Sequence, residues 1–218
     1  MRRNLPGGVN TYYADLIYHG RHVLTAIQER DLQAVKNYAD EVEMMCIGCS
    51  DASIRALFHH RMVFVYRKLF QKRPTVEIYM EILRHCDKGL RSVQNLDTDI
   101  NMFFTEFFLI KMCLTRMKIN VDFTLADTED IPTTAADRSQ ICSHLGHIEA
   151  EYLPSMRARG AMMFHVCKAR AVESTDRRLA VQYIDRAMNL ANDGLIFEER
   201  RQNLESYRRK VVENQTSD

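Results

Sequence analysis

Only four prolines, at positions 6, 74, 132 and 154, interrupt this chain of 218 residues. Proline removes a backbone donor and clashes with the preceding turn, so the long stretches between them are free to be helical. Within those stretches apolar residues recur three and four apart: Leu16, Gly20, Val23, Leu24 and Ile27, then Leu32, Val35, Ala39, Val42 and Cys46, then Ile54, Phe58, Met62, Val65 and Leu69. A half-buried strand would alternate instead. The same spacing runs through Tyr79 to Leu90, Ile100 to Met117, Ile141 to Tyr152, Met163 to Ala169, Ala180 to Ala191 and Phe197 to Val211. Nine amphipathic helices and no strand are expected, which makes the fold class all-α.

Boundary chemistry agrees with these periods. Asp51, Asp97 or Thr98, and Ser174 or Thr175 precede helical runs, where a side-chain oxygen can accept a free backbone N–H. Gly48, Gly89 and Gly194 fall near the expected ends, where a positive φ is useful. Connections are short except for residues 119–134, which carry Asp122, Asp127, Glu129 and Asp130 and no basic residue. That stretch reads as a solvated acidic loop, since its spacing lacks the regular oxygen-ligand plan of a calcium loop. Residues 1–10 read as a flexible N-terminus and 214–218 as a polar tail, with 11–213 forming a single helical array.

At 46% hydrophobic and 27% charged residues the chain can bury a core, and 30 basic against 29 acidic side chains leave any electrostatic preference to their distribution. No window approaches the length of a membrane span, and the basic Met1-Arg2-Arg3 start is followed by no apolar stretch. Six dispersed cysteines in a chain of this size do not suggest a disulfide scaffold. A cytoplasmic location is the expectation, without a membrane partner.

Pairing consecutive helices gives hairpins at about 11–47, 52–92, 99–152 and 155–192, with a lone helix at about 195–213. One hairpin cannot cover its own apolar face; stacking several makes a continuous core that a terminal amphipathic helix can seal. The last pair resembles the tetratricopeptide-repeat family, because Ala180, Ile184 and Ala187 have the small-large-small spacing of that family's second helix. The first pair is similar through Gly20 and through Asp31-Leu-Gln-Ala-Val-Lys-Asn-Tyr38, which puts Ala34 and Tyr38 at the expected separation. The hairpins start 41, 47 and 56 residues apart, longer than the family's period of about 34, and tryptophan is absent, so the repeats are degenerate. The resemblance implies a TPR-like α-solenoid with a C-terminal capping helix. It also implies a non-catalytic scaffold or adaptor that holds a peptide or helical segment on a concave face lined by first helices. A compact helical bundle is the competing arrangement.

Charge distinguishes the two sets of helices. First helices sum to +9 and second helices to −5, so a groove lined by first helices would be basic. Arg55, Arg61, Arg67, Lys68, Arg157, Arg159, Lys168 and Arg170 are the candidate partner-binding residues, and an acidic protein or peptide is the expected partner. RNA is the alternative, with Tyr12, Tyr13, Phe64 and Tyr66 as stacking platforms near cations. The paired phenylalanines Phe103-Phe104 and Phe107-Phe108 cover more than one helix face, which implies burial between neighbours or an exposed partner patch, and burial is the expectation.

Catalytic chemistry finds little here. Cys142, His144 and His147 are neighbours on one helix, which rarely gives a nucleophile, a base and an orienting group in a cleft. No nucleophile elbow, phosphate loop or dinucleotide fingerprint occurs. Cys46-Ile-Gly-Cys49 with His59-His60 has ligand-like separation, but four ligands would have to converge from different helix faces. Neither an enzyme nor a cofactor or metal is expected. Elemental analysis of purified protein should therefore find zinc well below one atom per chain; a stoichiometric content would overturn that reading.

Overall fold

The computed structural model describes residues 32–47, 49–94, 96–128, 130–191 and 198–213. The helix expected over 11–30, with Tyr12, Tyr13 and Gly20, lies outside the described residues, as do Gly48, Gly194 and the 214–218 tail. Eight α-helices account for most of what is described: α1 Leu32–Ile47, α2 Ala52–Lys72, α3 Val76–Val93, α4 Thr98–Arg116, α5 Ala135–Glu151, α6 Ala158–Val172, α7 Arg177–Ala191 and α8 Glu198–Glu213. Among the described residues there is no strand, only an isolated antiparallel bridge between Ile119 and Leu125. No described helix is long and apolar enough to cross a membrane. Two compact units divide at Phe108 and Leu109, inside α4.

In the first unit Asp51 caps α2 by accepting from the Ser53 and Ile54 amides, and Thr75 caps α3 by accepting from Ile78. α2 ends at Lys72, two residues before Pro74, because a residue preceding proline is pushed out of the helical region. α2 and α3 pack antiparallel: His59 meets His85, and further along Phe70 meets Tyr79. Between them lie Phe58, Met62, Tyr66 and Leu69 from α2 and Ile78, Ile82 and Cys86 from α3, all buried. α1 lies against this pair with Val35 and Ala39 fully buried. Its ion pairs run from Lys36 to Glu77 and from Glu43 to Arg84, both separated by 41 residues, so α1 and α3 run in the same direction.

Gly89 does not end a helix as its position suggested. It sits inside α3, buried, where an added Cβ would lie 2.2 Å from Cζ of Phe108. Close approach, and not a positive φ, is what this glycine provides.

In the second unit α6 and α7 form the tightest hairpin. Ala169, Ala180 and Ile184 make one cluster with Tyr207 and Val211 of α8, so α8 lays its apolar stripe on the hairpin. Asp176, one residue beyond the expected Ser174 or Thr175, accepts from the Leu179 amide at the start of α7. Thr134 and Asp137 form a reciprocal capping box on α5.

The acidic connection departs from the expectation of a solvated loop. Ile119, Phe123 and Ile131 are buried, Asp122 accepts from the Thr124 amide and hydroxyl at 3.0 and 2.7 Å, and Asn203 of α8 donates to the Asp122 carbonyl at 3.0 Å. Lys118 has a positive φ of 58° and ends α4 in a Schellman arrangement, with the Ile119 amide bonded to the Leu114 carbonyl at 2.8 Å. Asp127 and Asp130 are exposed while Phe123 and Ile131 are buried, which a charge count over the segment conceals.

Gly89 and Gly146, both inside helices, should respond oppositely to one substitution. Gly89→Ala is expected to lower unfolding free energy by about 1 to 3 kcal/mol through overpacking against Phe108. Gly146→Ala in α5, where a Cβ meets nothing within 4 Å, should raise it by about 1 kcal/mol through helix propensity. Urea unfolding of both variants checks the pair; equal effects would mean that the Gly89 contact does not govern packing.

Candidate functional site

The outward arc of α2 is built by residues one turn apart, His60, Phe64 and Lys68, with Arg61 beside them. Phe64 remains 37% exposed although it belongs to an otherwise heavily buried helix, and the Lys68 ammonium lies 5.0 Å from its ring centroid. Across from α2, the front of α4 exposes Ile100 at 42% and Phe103 at 39%. His60 joins the two helices: its ring centroid lies 4.1 Å from Phe107, 6.0 Å from Phe104 and 6.2 Å from Phe103. Within the first unit His60 and the α4 phenylalanines form an aromatic strip, and on α2 Phe64 is exposed one turn beyond His60 with Lys68 over its ring.

Behind this strip the α2–α3 interface is held by a buried imidazole pair. His59 Nδ1 and His85 Nδ1 are 3.0 Å apart, so one must donate and the other accept. Arg84 Nη2 lies 3.2 Å from His85 Nε2 and can only donate, which assigns the His85 proton to Nδ1 and makes His59 Nδ1 the acceptor. The Tyr66 and Phe58 rings enclose His85 at 5.6 and 5.7 Å. Burial pushes His59 down to about 4, with Lys88, Arg84 and Arg55 adding to the effect and Glu43 opposing it. Burial likewise holds His85 well below the ordinary histidine value, helped by His59, Arg84 and Lys88. At the rim Arg84 bridges Glu81 at 2.7 Å and Glu43 at 2.8 Å, and Lys88 also reaches Glu43. Burial raises the Glu43 carboxyl, yet the bonds from Lys88 and Arg84 outweigh it and leave that group below its ordinary value.

The eight candidate cations fall on both units. In the first, Arg61 is exposed and Lys68 half-buried over Phe64, whereas Arg55 donates to the Cys49 carbonyl and Arg67 is only 5% exposed. In the second, Arg157 and Arg159 are exposed at the start of α6. Lys168 is paired with Glu149 at 2.6 Å, and Arg170 with Glu173 at 3.1 Å while it stacks 3.4 Å from the Tyr207 ring centroid. Arg61, Arg157 and Arg159 are thus exposed and Lys68 lies over an exposed ring, while Arg55, Lys168 and Arg170 are engaged inside their own units.

Sequence reasoning overlooked the imidazole pair, and of the two outcomes it weighed for the phenylalanine run, burial or an exposed patch, it favoured burial. Phe104 and Phe108 are buried as expected, but Phe103 is not. The signal was present: four phenylalanines at i, i+1, i+4 and i+5 span too wide an arc for one neighbour to cover. His59 and His85 lie 26 residues apart and carry no local signature. Among the described residues no group of three or more histidine, cysteine, aspartate or glutamate side chains is arranged to hold a metal ion. No protein-family model, curated protein or solved structure matches the chain.

The imidazole pair carries a pH dependence whose sign follows from its depressed folded values. Between about pH 6.5 and 4 the unfolded chain binds more protons than the folded one, so this contribution is present above the unfolded value and is lost as pH falls. His59 alone should remove about 2 kcal/mol of stability between pH 7 and 5. Urea unfolding at the two pH values should show that loss, and the double variant His59→Leu with His85→Met should shrink the difference whatever it does to stability at pH 7. An unchanged difference would assign the pH dependence elsewhere.

Proposed function

We propose that the chain is a non-catalytic protein-interaction scaffold, a TPR-like α-solenoid whose α2–α4 face receives an acidic peptide or helical segment. The observation that carries this reading is the exposure of Phe64 on α2 and of Ile100 and Phe103 on α4, with Lys68 over the Phe64 ring and Arg61 exposed on the same helix. Exposed aromatics offer large, stiff contact area, and flanking cations select for partner charge and speed encounter. α2 and α4 are the first helices of successive hairpins, the position expected to line a concave wall. Parallel α1 and α3, related by a constant 41-residue offset, are what stacked hairpins require of their second helices. The stripe that α8 buries on the α6–α7 hairpin is the contact a terminal cap would make. Thiols without a disulfide at Cys49, Cys113 and Cys142 suit a cytoplasmic setting.

RNA binding would use the same cations but needs more stacking surface. Of the four platforms considered for it, Tyr66 is buried, Tyr12 and Tyr13 lie outside the described residues, and Phe64 is exposed. With Tyr66 buried, an acidic peptide is the favoured partner.

Arg61 and Lys68 can be reversed without entering the core, which Arg67 does not allow. Fluorescence anisotropy with an amphipathic peptide bearing glutamates along one edge is expected to show at least about tenfold weaker binding to the Arg61→Glu, Lys68→Glu double variant, with circular dichroism unchanged. Phe64→Ala with Phe103→Ala should weaken it as well. Equal affinity of the double variant, or tighter binding of a single-stranded RNA oligomer than of the peptide, would remove this reading.

A further inference from the structure

The second unit contains a pocket of about 340 Å³ that the scaffold reading does not use. Its lining includes the apolar Met117, Leu125 and Ile141 and the charged Arg138, Arg170 and Glu173, with Cys142 among them. This volume falls in the range of small-molecule sites, and an apolar lining with a few convergent polar groups is their usual composition.

Arg170 is held rigidly at that pocket. Its guanidinium stacks 3.4 Å from the Tyr207 ring centroid, its Nη1 donates to Glu173 Oε2 at 3.1 Å, and the Tyr207 hydroxyl donates to the same oxygen at 2.9 Å. A guanidinium fixed in this way loses little freedom when it takes a further acceptor. Its Nε–H is buried and has no acceptor among the described residues. Arg138 spends one N–H on the Thr133 carbonyl at 3.1 Å and has further donors in its fork. Two guanidinium groups against the one carboxylate of Glu173 leave the lining one positive charge in excess.

From this we infer that the pocket binds a small amphipathic monocarboxylate, its carboxylate received by Arg138 and Arg170 and its hydrocarbon part laid on Met117, Leu125 and Ile141. A single excess charge matches a monoanion better than a dianionic phosphate, and the apolar wall asks for a carbon chain. The inference is independent of the α2–α4 face, which lies in the other unit.

Cys142 supplies the readout, being exposed while Cys49, Cys86, Cys113 and Cys167 are buried. Alkylation of Cys142 by iodoacetamide, followed by mass spectrometry of its peptide, should be slowed saturably by hexanoate and far less by hexanol or inorganic phosphate. Arg138→Gln should raise the hexanoate concentration needed for half-protection about tenfold, each variant being measured against its own unprotected alkylation rate, with helicity unchanged, and Arg138→Lys should recover part of the protection. Equal protection by hexanol would reduce the pocket to a greasy crevice and overturn the anion site. Better protection by phosphate would overturn the ligand class, and protection by none of the three, or protection indifferent to Arg138→Gln, would overturn the proposal itself. Peptide binding at Arg61 and Lys68 is measured separately, so failure of either reading leaves the other standing.

Discussion

A helix with an apolar stripe is stable in water only when that stripe is covered, and the described helices cover theirs largely on neighbours close in sequence. Phe58, Met62 and Leu69 of α2 and Ile78, Ile82 and Cys86 of α3 are buried in the first unit; Ala169 of α6 and Ala180 and Ile184 of α7 do the same in the second. Everything else rests on those antiparallel seams. Residue size sets how closely they approach: Gly89 lets the Phe108 ring touch the α3 backbone, and the fully buried alanines Ala169, Ala180 and Ala187 draw α6 and α7 together.

Polar groups caught in the seams are satisfied by one another. The His59–His85 bond lies inside an aromatic enclosure, and its donor assignment is dictated by Arg84, which is itself fixed by Glu43 and Glu81. A chain of contacts therefore runs from the charged rim of α1 and α3 into the α2–α3 interior. Such a network ties helix register to protonation, because neither imidazole can become charged without losing the neutral pairing. Glu173 plays a comparable part in the second unit, where a single carboxylate oxygen serves both Arg170 and Tyr207.

Surface function then depends on what the seams leave uncovered. α2 is buried around most of its circumference, so the narrow arc of His60, Phe64 and Lys68 is conspicuous for being both aromatic and open. In the second unit the packing of α8 fixes Arg170 against Tyr207 and sets a guanidinium at the edge of a pocket. Both candidate sites are by-products of helix packing in the sense that the residues holding them in place also hold the fold together.

Helix positions, the caps at Asp51 and Asp97, and the excess of cations on α2 were legible in the sequence, because each depends on residues within one or two turns of one another. Tertiary structure decided which cations are available: Arg67 and Arg61 look alike in sequence, yet one is buried and the other exposed, since six residues of helix turn their side chains to different neighbours. It also decided that Gly89 is a contact and not a helix end, that the acidic stretch hides Phe123 and Ile131, and that His59 meets His85. Local spacing sets where a chain coils; only the approach of distant segments sets which side chain is left facing water, because burial belongs to pairs of surfaces and not to one of them.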